Sequence, residues 1–198
     1  MNNFKDYYIL AENYCVSAKS LFQIIIDNEN EIIGFGKTEQ SAEKQMNKLH
    51  ETSDATLFIP ALFLSFHSVE LFAKGLLKMN NIEFSDTHDL STLLEQLKKI
   101  YAEKYDVIKS IFRFNKNIFD KLKEFKNYNK ITNVNEIYEA LRYPNNKSDK
   151  IYEHFFLKYN FDNGINYCKT LIKNLNKLME SVVEEKNKYY EKKLTDCK

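Results

Sequence analysis

The sequence predicts an all-α protein, an antiparallel bundle of four to five long helices with short extra helices. Three observations support this fold class. The 198 residues include only 4 glycines and 2 prolines, fewer than strands and tight turns require. Apolar residues recur at helical three- and four-residue steps along most of the chain. A hydrophobic content of 43% is enough to bury a sizeable core, and we expect one domain over residues 1–198.

Two helices are predicted ahead of the most apolar segment. The apolar steps near the N-terminal end place the first helix at about residues 4–26. A connection containing two glycines follows at residues 27–37. The second helix is predicted to begin near Thr38 and to break or bend near Ser53.

The most apolar segment of the chain predicts the third helix, which runs to about Met79. Pro60 is expected in its first turn, where a missing backbone N–H leaves no hydrogen bond unmade. Asp54 or Thr56 is the expected N-cap. The asparagine pair after Met79 is expected to end the helix.

The next predicted helix begins at Asp86, Thr87 or His88. It directs four leucines inward, namely Leu90, Leu93, Leu94 and Leu97. A longer helix is then predicted over residues 104–128 from the same kind of apolar periodicity.

The last third of the chain predicts a short helix and a long one. The short helix, at residues 135–141, is expected to end at Arg142-Tyr143-Pro144, because the residue before a proline resists the helical conformation. A polar loop at residues 145–150 follows. The last helix is predicted at about residues 162–190, and the motif-bearing core of the domain at about residues 55–145.

Charge and cysteine content exclude several classes of protein. A net charge of +1 gives no global attraction to nucleic acid, although a local basic groove is still compatible with it. The 3 cysteines form no CxxC or Cys/His cluster, so we expect no metal site and no cofactor. The odd cysteine count and the lack of a signal-peptide pattern predict a cytoplasmic protein. The longest strongly apolar run is too short to span a membrane.

Residues 34–38, with the sequence GFGKT, resemble the end of a phosphate-binding loop. The full motif needs an earlier glycine at the position of Glu31. Nucleotide binding at this loop is therefore not predicted.

Three polar residues share one stripe of the apolar third helix. His67, Glu70 and Lys74 lie three and four residues apart, and Glu70 precedes Lys74 in the order that favours an ion pair within a helix. Polar groups in such a helix are costly to bury unless they are paired or used. The pattern favours a structural contact at the bundle edge, and the alternative is a polar groove. The sequence leaves open whether the stripe faces a groove or a dimer seam.

Further candidate residues lie at predicted helix ends. Either His88 or Asp89 can cap the helix that follows, and a structural role is favoured over catalysis there. Arg142 is one of only two arginines. At a helix end it can bind the terminal carbonyls, or it can bind a phosphate or carboxylate with both arms. Tyr143 beside it is a candidate binding residue, and His154, among aromatic residues, is predicted to be structural.

Taken together, these motifs resemble the HEPN superfamily. The matching elements, in order, are His67, Glu70-Leu71, Lys74, His88-Asp89-Leu90, Leu93-Leu94 and Arg142-Tyr143-Pro144. The resemblance implies an all-α antiparallel bundle that is usually a homodimer. Many members are metal-independent endoribonucleases of toxin–antitoxin, phage-defence or CRISPR-linked systems. Their active site is an arginine followed four to six residues later by a histidine, contributed by both subunits.

This chain departs from the nuclease pattern, because the next histidine after Arg113 and after Arg142 is His154. The resemblance therefore implies a stress or phage-defence protein that dimerises and binds RNA, a nucleotide or a partner protein such as a cognate antitoxin. One alternative is a ribonuclease toxin with a displaced active site, and another is a structural subunit of a larger assembly. The candidate catalytic residues are Arg142, His88 and His67, and the candidate binding residues are Glu70, Lys74, Asp89 and Tyr143.

Overall fold

The computed structural model describes residues 4–30, 37–84, 88–101, 106–146, 148–157 and 161–196. Within these ranges the chain is α-helical, with one 3-10 turn, and no residue there lies in a β-strand. The elements are α1 (Phe4–Asp27), α2 (Glu39–Thr52), α3 (Asp54–Met79), α4 (Leu90–Ile100), α5 (Asp106–Lys121), α6 (Lys123–Asn129), α7 (Val134–Arg142), the 3-10 turn His154–Leu157 and α8 (Phe161–Asp196). The predicted all-α fold class is confirmed.

Helix α3 lies at the centre of the bundle and packs against α1, α2, α4, α7 and α8. Its closest neighbour is α1, which runs along it with small side chains between the two backbones. The Ser68 hydroxyl donates a hydrogen bond to the Ala11 carbonyl at 2.8 Å. A Cβ atom at Gly75 would lie 3.1 Å from the Tyr8 ring, so glycine permits this close approach. The packing puts the polar stripe of α3 inside the protein.

The joint between α2 and α3 lies at Ser53, which confirms the predicted break. Ser53 is extended and is the N-cap of α3, but its side chain makes no capping bond. The expectation of Asp54 or Thr56 as N-cap is therefore wrong. The backbone N–H of Asp54 instead donates to the Asn30 side chain at 2.7 Å, so a residue beyond the end of α1 caps this helix.

Pro60 lies inside α3 rather than in its first turn, so that prediction is wrong. Proline removes one hydrogen bond from the interior of a helix. Pro60 is exposed, so the loss falls on the outer side of α3, where water can bond the freed carbonyl. The connection at residues 31–36, including Gly34 and Gly36, lies outside the described residues.

Helix α4 begins later than predicted. Its first residue is Leu90 and its N-cap is Asp89, so His88 precedes the helix, while Asp86 and Thr87 lie outside the described residues. The four predicted inward leucines are all buried. The asparagine pair after Met79 ends α3 as predicted.

The long helix predicted over residues 104–128 is two helices in the structure. Leu122 departs from helical geometry with ψ of 40° and separates α5 from α6. No glycine or proline marks this break in the sequence, and its apolar periodicity continues across it. Helix α7 ends at Arg142 as expected, whereas α8 continues six residues beyond the predicted end at 190.

The expectation that the longest apolar run is too short to cross a membrane fails by length and composition alone, because the stretch Glu39–Met79 is long and apolar enough. Of its most apolar window, 56% is buried inside the protein. Such burial is typical of the core helix of a soluble protein, which passes the same test. The cytoplasmic location stays a prediction.

Candidate functional site

The candidate site is built around Glu70, a carboxylate with no exposed surface in the middle of α3. Its Oε1 atom accepts hydrogen bonds from Lys74 Nζ at 2.7 Å and from His88 Nδ1 at 2.9 Å. Its Oε2 atom accepts one from the Tyr138 hydroxyl at 2.8 Å. His67 Nδ1 lies 3.5 Å from the same oxygen. The structure therefore brings the predicted stripe together with one residue from the α4 entrance and one from α7.

Glu70 is ionised despite its burial. Burial is the strongest influence on the pKa of this carboxyl and acts to raise it, but the contacts with His67, Lys74 and Tyr138 together lower the pKa to about 2. Lys74, 8% exposed, supplies a positive charge directly beside it. Burial also raises the pKa of Tyr138, and the neighbouring Glu70 charge adds to this. The cluster is thus a charged carboxylate held by donors, with Tyr138 kept protonated.

The proton positions around His67 follow from these partners. Tyr138 donates its hydroxyl proton to Glu70, so it accepts from His67 Nδ1, which lies 2.9 Å away. The His67 ring is stacked on Phe63 at 5.8 Å between centroids and meets Tyr14 edge-on at 4.7 Å. This packing fixes the ring. Glu70 and Lys74 do pair, but inside the protein rather than at the expected bundle edge.

His88 is the most accessible member of the cluster, with 53% of its side chain exposed. Because its Nδ1 donates to an ionised carboxylate, the neutral ring carries its proton on Nδ1 and leaves Nε2 as the acceptor. A carboxylate that orients an imidazole in this way is a common feature of acid–base sites. His88 therefore combines a fixed tautomer with access from solvent.

Arg142 lies at the C-terminal end of α7, against the outer side of the cluster. Its guanidinium carbon is 4.6 Å from the centre of the Tyr138 ring and 5.3 Å from that of Tyr143. Its Nε atom is buried and has no hydrogen-bond partner. Among the described residues it forms no ion pair and no hydrogen bond to the helix carbonyls. Of the two interpretations left open by the sequence, binding of the terminal helix carbonyls is therefore not seen in the described part of the chain.

Tyr143 and Asp89 have different surroundings. Tyr143 is 52% exposed and is the C-cap residue of α7. Asp89 caps α4 by accepting the Thr92 backbone N–H at 3.1 Å, and it accepts the Asn135 side-chain amide at 2.6 Å. Burial acts to raise the pKa of Asp89, yet these hydrogen bonds lower it. Asp89 thus joins α4 to α7, as a structural role predicts.

Tyr138 and Asn135 are the residues that sequence reasoning missed. Both lie on α7, and Tyr138 precedes Arg142 by one helical turn on a face that also buries Ile137 and Leu141. The sequence feature that could have indicated Tyr138 is its position one helical turn before an arginine at a helix end. Nothing in the spacing indicated that its hydroxyl would reach Glu70.

The remaining histidines lie elsewhere. His154 donates from Nε2 to the Ala140 carbonyl at 2.6 Å and packs near the rings of Phe125 and Tyr152, in line with its predicted structural role. His50 is exposed on α2. Across the described residues, no group of three or more His, Cys, Asp or Glu could hold a metal ion.

The protein is thus an all-α domain in which three motif-bearing helices, α3, α4 and α7, meet around one buried carboxylate. A family model described as HEPN domain matches residues 39–189. Since the match covers most of the chain, this protein belongs to the HEPN family. No match was found among curated proteins or among solved structures.

Proposed function

We propose that this protein is an RNA-binding HEPN protein of a bacterial stress or phage-defence module, which acts as a homodimer and lacks the family's usual nuclease pair. The main support for this proposal is that Arg142, a permanent cation at the surface of the buried cluster, has no acidic partner among the described residues. Membership of the HEPN family supports the RNA-related class of function.

Arg142 is suited to a phosphate group. Its planar fork can bind two phosphate oxygens at once, and its ring contacts with Tyr138 and Tyr143 hold the guanidinium without neutralising it. Tyr143, half exposed beside it, offers an aromatic face on which an unpaired base can stack. Together these residues provide one phosphate contact and one stacking contact.

Binding without cleavage is the leading form of the proposal, because the histidine that follows Arg142 has another role. His154 is the first histidine after Arg142, and its Nε2 is bonded to the Ala140 carbonyl. A general base must reach the proton that it removes. His154 is therefore unsuited to serve as the partner of Arg142 within one chain.

A second candidate function is a metal-independent ribonuclease with a displaced active site. The Glu70–His88 pair favours it, because Glu70 fixes the tautomer of a half-exposed imidazole. In such an enzyme His88 would act as acid or base on the 2′-hydroxyl chemistry, and Arg142 would stabilise the phosphate charge. Glu70 would orient His88 without touching the RNA.

One experiment separates the two candidates. The purified protein is incubated with total cellular RNA and with labelled tRNA in the presence of a metal chelator, beside His88→Ala and Arg142→Ala. The leading proposal predicts intact RNA on a denaturing gel and retention of the tRNA on a native gel. Cleavage that both variants abolish would establish the ribonuclease instead, and a protein that neither retains nor cuts RNA would contradict both functions.

A further inference from the structure

A second binding site is offered by a polar hollow between α7, the turn that follows α6 and the loop that follows α7. The hollow has a volume of about 370 Å³. Glu136 and Glu139 line it from α7, and Lys130 and Tyr152 line it from the two connections. We propose that this hollow binds the ammonium group of a small organic amine, held by the two carboxylates and the phenol oxygen. Such binding goes beyond the RNA contact proposed for Arg142.

Tyr152 is the observation that points to a ligand. The residue is only 7% exposed, yet its hydroxyl has no hydrogen-bond partner among the described residues. Nearly all buried polar groups in native proteins are paired, so an unpaired one calls for a physical explanation. The hydroxyl oxygen is not fully enclosed, so a molecule in the hollow can reach it.

The phenol of Tyr152 lies close to negative charge. Burial raises the pKa of this phenol, and the charges of Glu139 and Glu136 raise it further. The hydroxyl therefore stays protonated and neutral beside two carboxylates. A cation that enters the hollow meets one neutral oxygen and two charged groups at the same place.

The two carboxylates have no counter-charge within the described part of the chain. Both are half-buried on α7, and neither forms an ion pair there. Glu136 accepts the Thr132 backbone N–H at 2.6 Å, whereas the Glu139 carboxylate accepts no hydrogen bond from a described residue. Lys130 is exposed at the edge of the hollow and pairs with neither carboxylate. The hollow therefore has an excess of negative charge.

The acceptors that remain open match an ammonium group better than a metal ion. The Asn129 side-chain oxygen already accepts a backbone N–H at 2.9 Å, and that of Asn146 accepts two, at 2.9 and 3.0 Å. A calcium ion takes about six to eight oxygen ligands, which this wall does not offer. An ammonium group has three N–H donors, and the two carboxylates and the phenol can accept them. The volume of the hollow is also typical of a small organic ligand, for which pockets measure roughly 300–1,000 Å³.

The hollow is separate from the proposed RNA site. Glu70, His88 and Arg142 are not among its lining residues, and its carboxylates repel phosphate. A failure of amine binding would leave RNA binding at Arg142 untouched, and the reverse also holds.

The test is a titration of the whole 198-residue chain, labelled with ¹⁵N, with diaminobutane at pH 7 and constant ionic strength. Three control titrations use butanediol, which has the same length without charge, tetramethylammonium, which has the charge without N–H donors, and inorganic phosphate. We expect saturable shifts of the Glu139 and Tyr152 backbone amides with diaminobutane, and none with the three controls.

Four variants make the result specific. Glu139→Gln should raise the Kd for diaminobutane at least roughly tenfold, and Tyr152→Phe at least roughly fivefold, because each removes one acceptor of the ammonium group. The melting temperature of Tyr152→Phe should stay unchanged, since its hydroxyl has no partner inside the protein. Glu153→Gln changes an exposed carboxylate outside the lining and should bind like the wild type. Lys130→Gln removes a competing cation and should bind as tightly or more tightly.

Several results would overturn the proposal. They are the absence of saturable shifts with diaminobutane, equal shifts with tetramethylammonium or butanediol, and binding of phosphate in place of the diamine. Wild-type affinity in both Glu139→Gln and Tyr152→Phe would also overturn it, as would weaker binding by Lys130→Gln.

Discussion

Glu70 is fully buried and charged, which makes this residue the centre of the protein's polar chemistry. Lys74, almost as deeply buried, has this carboxylate as its counter-charge. Breaking a buried pair from one side leaves an uncompensated charge, which is far more costly than breaking a surface pair. The bond network that lowers the pKa of Glu70 therefore also stabilises the fold.

Replacing this carboxylate should destabilise the protein strongly. Glu70→Gln keeps the size of the side chain but removes the negative charge beside Lys74, and we expect a loss of about 3–5 kcal/mol in the free energy of unfolding. Urea denaturation at pH 7 measures this loss of free energy of unfolding. Glu95→Gln is the matched control, since the exposed Glu95–Lys98 pair should contribute at most about 1 kcal/mol. Equal effects of the two substitutions would show that the buried network does not stabilise the protein.

The pH dependence of stability follows from the same residue. The pKa of Glu70 falls from the ordinary value of 4.5 to about 2 on folding, so the unfolded chain takes up the proton first as the pH drops. The stabilisation is complete above about pH 4.5, is lost progressively toward pH 2, and amounts to about 3 kcal/mol. Denaturation curves between pH 6 and 2 should show this loss in the wild type. An equally steep loss of stability in Glu70→Gln would show that other carboxyl groups cause the acid sensitivity.

At the scale of the helices, Asp89 connects two elements that carry the site. It caps α4 and also bonds to Asn135 on α7. Asp89→Ala removes both contacts and should cost about 1–2 kcal/mol. Asp89→Asn retains a capping oxygen and should cost less. Denaturation of the two variants at pH 7 compares their free energies of unfolding. Equal losses would mean that the negative charge of Asp89, rather than its capping oxygen, stabilises the protein.

Helix positions could be predicted wherever a local signal exists. The apolar periodicity located α1 and α3, the break near Ser53 was predicted, and Pro144 marked the end of α7. The break at Leu122 could not be predicted, because no breaker residue occurs there and both α5 and α6 keep an apolar face. Pro60 misled the prediction for a related reason, since its exposed position lets the helix continue through it.

The site was predictable only in part, because its members come from three separate helices. Spacing alone placed His67, Glu70 and Lys74 on one stripe. Their contact with His88 and Tyr138 depends on how α4 and α7 pack against α3, and 68 positions separate Tyr138 from Glu70. Such a contact has no local signature, so the central role of Tyr138 emerges only from the structure.

At the scale of the whole molecule, α1 contributes to the packing although it precedes the HEPN match at residues 39–189. Its outer face carries exposed apolar residues, with Ile9 59% and Val16 50% exposed. They lie seven residues apart, on one side of the helix. Exposed apolar groups of this kind mark partner surfaces when they form a contiguous patch.

The proposed homodimer can be tested on this face. Light scattering should give twice the chain mass of 23.5 kDa for the wild type. Val16→Glu should shift the measured mass toward that of the monomer, because burying an unpaired charge opposes association. Glu39→Gln, an exposed change on α2, is the control. A wild-type protein that stays monomeric at high concentration would contradict the dimer, and an unaffected Val16→Glu dimer would place its interface elsewhere.

The decisive measurement for RNA binding at Arg142 is a fluorescence anisotropy titration of a labelled single-stranded RNA with three proteins. The three proteins are the wild type and two variants, Arg142→Ala and Arg113→Ala. Each variant replaces one of the chain's two arginines. We expect Arg142→Ala to raise the Kd at least roughly tenfold and to lower the salt slope by about one unit, as the loss of one phosphate contact should. Arg113→Ala should bind like the wild type. Unchanged binding by Arg142→Ala, or the same loss in both variants, would contradict the assignment of Arg142 as the RNA contact.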